Sequence, residues 1–118
     1  MVGSLAMFKE FNLPLDDAPD LVFNGELVAR VTSSPEPRAD NFSRHLGRWM
    51  ELALYRTAEG TFVCLEVRCS KRSGERNRLP RAGTAATERA VVAFFKQTSL
   101  AKRLYAAAGI ATARPAQK

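Results

Sequence analysis

The sequence contains very little histidine and cysteine. His45, Cys64 and Cys69 are the only residues of either type among 118. A structural zinc site needs about four such ligands, and nucleophilic catalysis needs a base beside the nucleophile. A Cys64–His45 dyad is a weaker interpretation than a surface histidine. We therefore expect no metal site, no cofactor and no catalytic residues.

The two cysteines are also poorly spaced for a disulfide. Cys64 and Cys69 fall in one predicted strand, where five residues span roughly 16 Å. A disulfide requires Cα atoms within about 7 Å of each other. The odd spacing also places the two side chains on opposite faces of the strand. We predict two free thiols, of which at least one is buried.

Long apolar runs are absent as well. No segment approaches the roughly 20 apolar residues of a membrane span, and the N-terminus, MVGSLAMFK, lacks a basic region followed by an apolar stretch. We expect no membrane partner and no signal peptide, and therefore a cytoplasmic protein. The hydrophobic fraction of 46% is nevertheless sufficient for one folded core.

Charge is abundant and unevenly distributed, with a net value of +6. Residues 1–43 contain three cations and seven acids, whereas residues 44–118 contain fifteen cations and five acids. Segment 68–81 sets six cations against Glu75 alone: Arg68, Lys71, Arg72, Arg76, Arg78 and Arg81. Such a segment fits contacts with nucleic-acid phosphate. It equally fits a solvated loop that aids solubility, or a surface that docks on an acidic protein.

Hydrophobic periodicity predicts an α+β fold, with a three- to four-stranded antiparallel sheet followed by two C-terminal helices packed on one face. The clearest element is a hairpin of strands 48–56 and 61–69, with Gly60 supplying a positive φ in its turn. A strand over 26–32 precedes the hairpin. Residues 75–79 are an optional edge strand within a polar, basic loop over 70–83.

The two helices are defined by their caps and apolar stripes. The first begins after Thr84 or Thr87, and the second follows an N-cap at Ser99. Gly109 ends the second helix, with Ile110 contacting Tyr105.

Three regions follow from these elements. Residues 1–20 form a flexible or extended N-terminal arm, residues 21–110 a single α+β domain, and residues 111–118 a disordered tail.

Three segments of the chain carry a resemblance: VFNGELVARVTS (22–33), GRWMELALYRTAEGTFVC (47–64) and FFKQTSLAKRLYAAAGI (94–110). They resemble small uncharacterised proteins of conjugative and integrative mobile elements of proteobacteria. The resemblance implies a bacterial cytoplasm and an accessory role on a mobile element, with DNA and host defence proteins as partners. The shared motifs concern packing and turns, so the resemblance implies no activity and no site residues.

The sequence favours a basic binding protein over an enzyme. The leading hypothesis is a nucleic-acid-associated accessory protein that uses the six cations of 68–81 as phosphate contacts. Trp49 and Tyr55 share parity on one strand, so they form a row that either stacks on bases or packs in the core. The alternative is a protein-binding module, or an inhibitor of another bacterial complex, that acts through its sheet face or edge.

Overall fold

Within the described residues, five antiparallel strands and two helices form the fold. The computed structural model describes residues 8–15, 18–33, 48–71, 74 and 78–111. The strands are hydrogen-bonded in sequence order, which confirms the α+β class with two C-terminal helices. The sheet has five strands, where the sequence predicted three or four. The elements are β1 Lys9–Leu13, β2 Leu21–Thr32, β3 Arg48–Thr57, β4 Phe62–Ser70, β5 Arg78–Ala85, α1 Glu88–Phe95 and α2 Ser99–Ala108.

The predicted hairpin is confirmed as β3 and β4. Leu54 pairs with Cys64 and Tyr55 with Val63, so the two strands are in register over nearly their whole length. Gly60 has φ 91°, and its N–H donates to the Thr57 carbonyl at 2.9 Å. A glycine occupies this turn because a side chain would strain a positive φ.

The additional strand comes from the segment predicted as an arm. β1 pairs with the first half of β2, with Phe11 opposite Phe23. β2 runs straight through Asn24-Gly25 and therefore begins five residues before the predicted strand over 26–32. A Cβ at Gly25 would overlap the Arg56 carbonyl, so glycine here allows β3 to approach. Residues 112–118 of the predicted tail over 111–118, and residues 1–7 of the predicted arm, lie outside the described residues.

The optional edge strand is present but lies further along the chain than predicted. β5 pairs with β4 from Arg78 opposite Cys69 to Ala85 opposite Phe62. Pro80 is accommodated at an edge position, where its missing N–H costs no ladder bond. The second half of the predicted 70–83 loop is therefore strand, and Arg78 and Arg81 lie on a sheet rather than in a loop.

Threonine side chains cap both helices. Thr87 Oγ1 accepts from the Ala90 N–H at 3.1 Å, and Thr98 Oγ1 accepts from the Ala101 N–H at 3.1 Å. The N-cap of α2 is thus Thr98, and the prediction of Ser99 was one residue late. Gly109, with φ 76°, ends α2 as predicted.

The two faces of the sheet bury different clusters. Both helices pack on one face, here called the helix face, where Leu54, Cys64 and Leu104 are fully buried. We call the other face the opposite face. It buries Ala53 and Val63. The row from Trp49 to Tyr55 lies on this opposite face and not beneath the helices. One strand pair therefore supplies the centre of both clusters.

A bulge in β2 bends the sheet. The pairing with β3 shifts between Leu27, opposite Tyr55, and Ala29, opposite Leu54. Such a bulge increases the local bend and twist of a strand. As a result, Pro14 after β1 and Pro80 of β5 line the same concavity although they belong to opposite edges of the sheet.

Leu104→Ala should lower the free energy of unfolding by about 2–5 kcal/mol, because it leaves a cavity in a packed core. Leu104 is fully buried between α2 and the sheet. Thermal and urea unfolding measure the change, with Arg89→Ala on the exposed side of α1 as control, expected within about 0.5 kcal/mol of wild type. Equal stabilities of the two variants would contradict the core assignment.

Candidate functional site

Four of the six predicted phosphate contacts lie in the described chain, and they divide between the two sheet faces. Arg68 and Arg81 lie on the helix face, since Arg81 pairs with Glu66 two residues from Cys64. Lys71 and Arg78 lie on the opposite face, next to Trp49 and Glu51. The predicted contacts Arg72 and Arg76 lie outside the described residues.

Arg81 is held in place by two contacts. Its Nε donates to Glu66 Oε1 at 2.9 Å, and its guanidinium carbon lies 4.2 Å from the centroid of the Phe94 ring. A Cβ on Gly83 would lie 3.1 Å from that ring, so glycine leaves room for Phe94 beside Arg81. The Arg81 charge is thus largely compensated within the fold.

Arg78 takes part in a second ion-pair group, centred on Glu51. Arg30 Nη2 and Arg78 Nη1 each lie 3.5 Å from Glu51 Oε1. The Glu51 side chain is only 17% exposed, whereas the two arginine side chains are more than half exposed. Cys69 Sγ lies 3.9 Å from Arg78 Nη1. β2, β3, β4 and β5 all contribute to this group.

Arg68 and Lys71 are placed differently. Within the part of the chain that the structure describes, neither forms an ion pair, and both are exposed. Lys71 Nζ lies 5.8 Å from the centroid of the Trp49 ring, a cation–π distance. Both cations therefore present positive charge that no described carboxylate compensates, Arg68 on the helix face and Lys71 on the opposite face beside the Trp49 ring.

A groove of about 610 Å³ at one end of the sheet is lined by Arg68 and Trp49, and Lys71 contacts the ring of Trp49. It lies where β3 begins and β4 ends, and we call it the basic groove. Arg48 and Arg68 bring cations to its lining, Trp49 and Leu79 bring apolar surface, and the remaining lining residues are Ser33, Met50, Cys69 and Ser70.

Both thiols are free and buried, as predicted. They lie on opposite faces: Cys64 is in the helix-face core, whereas Cys69 lies beside Glu51 and Arg78. Burial raises the pKa of Cys64 to about 12. Burial, together with the Glu51 carboxylate, also raises the pKa of Cys69. A protonated thiol is a poor nucleophile, so neither cysteine is suited to catalysis.

Other classes of site find no support in the described ranges. Those residues bring together no three metal-ligating side chains, and His45, of the disfavoured dyad, lies outside them. Neither α1 nor α2 has the length and apolar character that a membrane span requires. No protein-family model, curated protein or solved structure matches the chain.

The sequence missed two features of this region. It identified the cations of 68–81 but not the groove, because Arg48, Trp49 and Arg68 come from strands that only pairing brings together. It also missed the role of Glu51. The parity of Trp49 and Glu51 on β3 was the available signal, since it places both on one face.

At about pH 8, a thiol reagent such as Ellman's reagent should react slowly with folded protein and rapidly after denaturation. The raised pKa values keep both thiols protonated at this pH, and the thiolate is the reacting form. Absorbance of the released thiolate reports the rate, and denatured protein should titrate both cysteines of the sequence. Rapid labelling of Cys64 in the native state would show that the helix-face core opens.

Proposed function

We propose that the protein binds single-stranded nucleic acid through the basic groove, as an accessory protein without catalytic activity. The observation that carries the proposal is that Arg68 and Trp49 line one groove while Lys71 lies over the Trp49 ring, and neither cation forms an ion pair with a described residue. Arginine and lysine bind backbone phosphate, while an aromatic ring stacks on an unpaired base whatever its sequence. A groove that combines both suits a single strand better than a duplex.

The four described cations of segment 68–81 differ in how readily they can bind phosphate. Arg68 would exchange only water for phosphate on binding, whereas Lys71 would also give up its contact with the Trp49 ring. Arg78 and Arg81 are already paired with Glu51 and Glu66, so a phosphate contact there competes with an existing carboxylate. We therefore assign Arg68 and Lys71 as the main phosphate contacts and Arg78 and Arg81 as contributors to the surrounding field.

The protein-binding alternative draws on the outer edge of β5. In the described chain this strand pairs only with β4, and Leu79 near its start is 38% exposed. An added strand of a partner could pair there. Either function suits the accessory role on a bacterial mobile element that the sequence resemblance implies.

Fluorescence anisotropy of labelled single-stranded and duplex DNA and RNA, at about 50 and 200 mM salt, tests the proposal. We expect the single strands to bind more tightly than duplexes, with affinity that falls steeply as salt rises. Arg68→Gln and Lys71→Gln should each reduce the salt slope by about one. Arg89→Gln is the matched control, because it removes the same charge from the exposed side of α1, away from the groove.

Trp49→Leu separates stacking from charge. It should weaken single-strand binding by about 1–3 kcal/mol and leave the salt slope unchanged. No salt-sensitive binding at micromolar protein would refute the proposal. Equal effects of the Arg68 and Arg89 variants would refute the location, and binding of a protein partner that is insensitive to salt would favour the β5 edge.

A further inference from the structure

The opposite face of the sheet contains a second concavity, of about 450 Å³, which we call the trough. This volume lies within the roughly 300–1,000 Å³ typical of small-molecule sites. Its lining is mainly apolar and comes from all five strands and the residue after β1: Leu13, Pro14, Arg30, Glu51, Leu52, Ala53, Tyr55, Leu65, Val67, Arg78 and Pro80.

One end of the trough is charged. Arg30 and Arg78 approach the same oxygen of Glu51 from β2 and β5. A guanidinium has five N–H donors, so one shared carboxylate oxygen leaves most donors of both arginines unused by Glu51. The two arginine side chains are 61% and 56% exposed. Two cations against one carboxylate leave this end with a net positive charge.

The other end of the trough is aromatic. Tyr55 contacts Phe11 at 4.8 Å and Phe23 at 5.4 Å between ring centroids. Between the two ends, β3 and β4 contribute the apolar side chains of Ala53, Leu65 and Val67. The alternation of the two strands aligns these side chains on one face. The trough therefore changes from cationic to apolar along its length.

We infer that the trough binds a small amphiphile with one negative charge, an aliphatic or aromatic carboxylate. Its head group lies against Arg30 and Arg78, and its apolar body extends along Ala53 and Leu65 towards Tyr55. The positive end disfavours a cationic ligand, and a neutral ligand would leave the spare arginine donors unused. This inference is independent of nucleic-acid binding, because Trp49 and Arg68 do not line the trough.

Isothermal titration calorimetry with decanoate and decan-1-ol tests the inference, since the two probes have the same number of carbon atoms in a linear chain and differ in the charge of the head group. We expect decanoate to bind at least about tenfold more tightly than the alcohol, as charge-assisted hydrogen bonds require. Arg30→Gln should weaken decanoate binding by about tenfold and leave decanol binding unchanged. Arg89→Gln is again the matched control and should alter neither.

Further variants keep the test decisive. Ala53→Leu fills the trough and should weaken the binding of both probes. Circular dichroism verifies that the variant is folded. If it is unfolded, Leu65→Phe replaces it. Trp49→Leu should leave decanoate binding intact even where it reduces DNA binding, so the two sites fail separately. Equal affinity for acid and alcohol, equal effects of the Arg30 and Arg89 variants, or no decanoate binding at millimolar concentration would overturn the inference.

Discussion

The β3–β4 hairpin is the constraint on which the rest of the structure depends. Its two strands are buried on both faces: Leu54 and Cys64 enter the helix-face core, and Ala53 and Val63 enter the opposite cluster. A strand pair buried on both faces must be apolar at nearly every central position. The cations of these strands lie near the strand ends, whereas the interior acids Glu51 and Glu66 are paired with arginines. The basic groove lies at one such end.

Two largely buried carboxylates, Glu51 and Glu66, determine which cations of the segment 68–81 are already engaged in ion pairs. The side chains of Glu51 and Glu66 lie on different faces of the sheet. Glu51 therefore pairs with arginines on the opposite face, and Glu66 pairs with Arg81 on the helix face. The net charge of a segment does not by itself locate a binding surface, because arginines that are already paired with carboxylates in the fold are still counted among its cations. Arg68 is the same type of residue as Arg78 and Arg81 and differs from them in having no carboxylate partner among the described residues.

The groove and the trough are neighbours that share one boundary. Cys69 lines the groove, and its sulfur lies beside Arg78, which lines the trough. The two concavities nevertheless differ in chemistry: the groove combines an aromatic ring with arginines, and the trough combines an apolar channel with two arginines that share one carboxylate. Sheet curvature, introduced by the bulge after Leu27 in β2, is what makes the opposite face concave enough to contain the trough.

The sequence by itself determined the local elements. Alternating apolar residues around Gly60 specified the β3–β4 hairpin. Capping residues with apolar stripes specified the second helix to within one residue and left the start of the first open between Thr84 and Thr87, of which Thr87 is the cap. These signals are local, since each depends on neighbours within a strand or a helical turn. The same locality explains the free thiols, because spacing within one strand excludes their pairing.

Tertiary structure alone decided the number of strands and the composition of the site. β1 is short, and β5 contains Pro80 and two arginines, so neither has a strong strand pattern without its partner. Which face the helices cover, and which arginines meet Glu51 and Glu66, depend on pairings between residues distant in sequence. Such pairings are fixed by register and curvature of the whole sheet, which no single segment encodes.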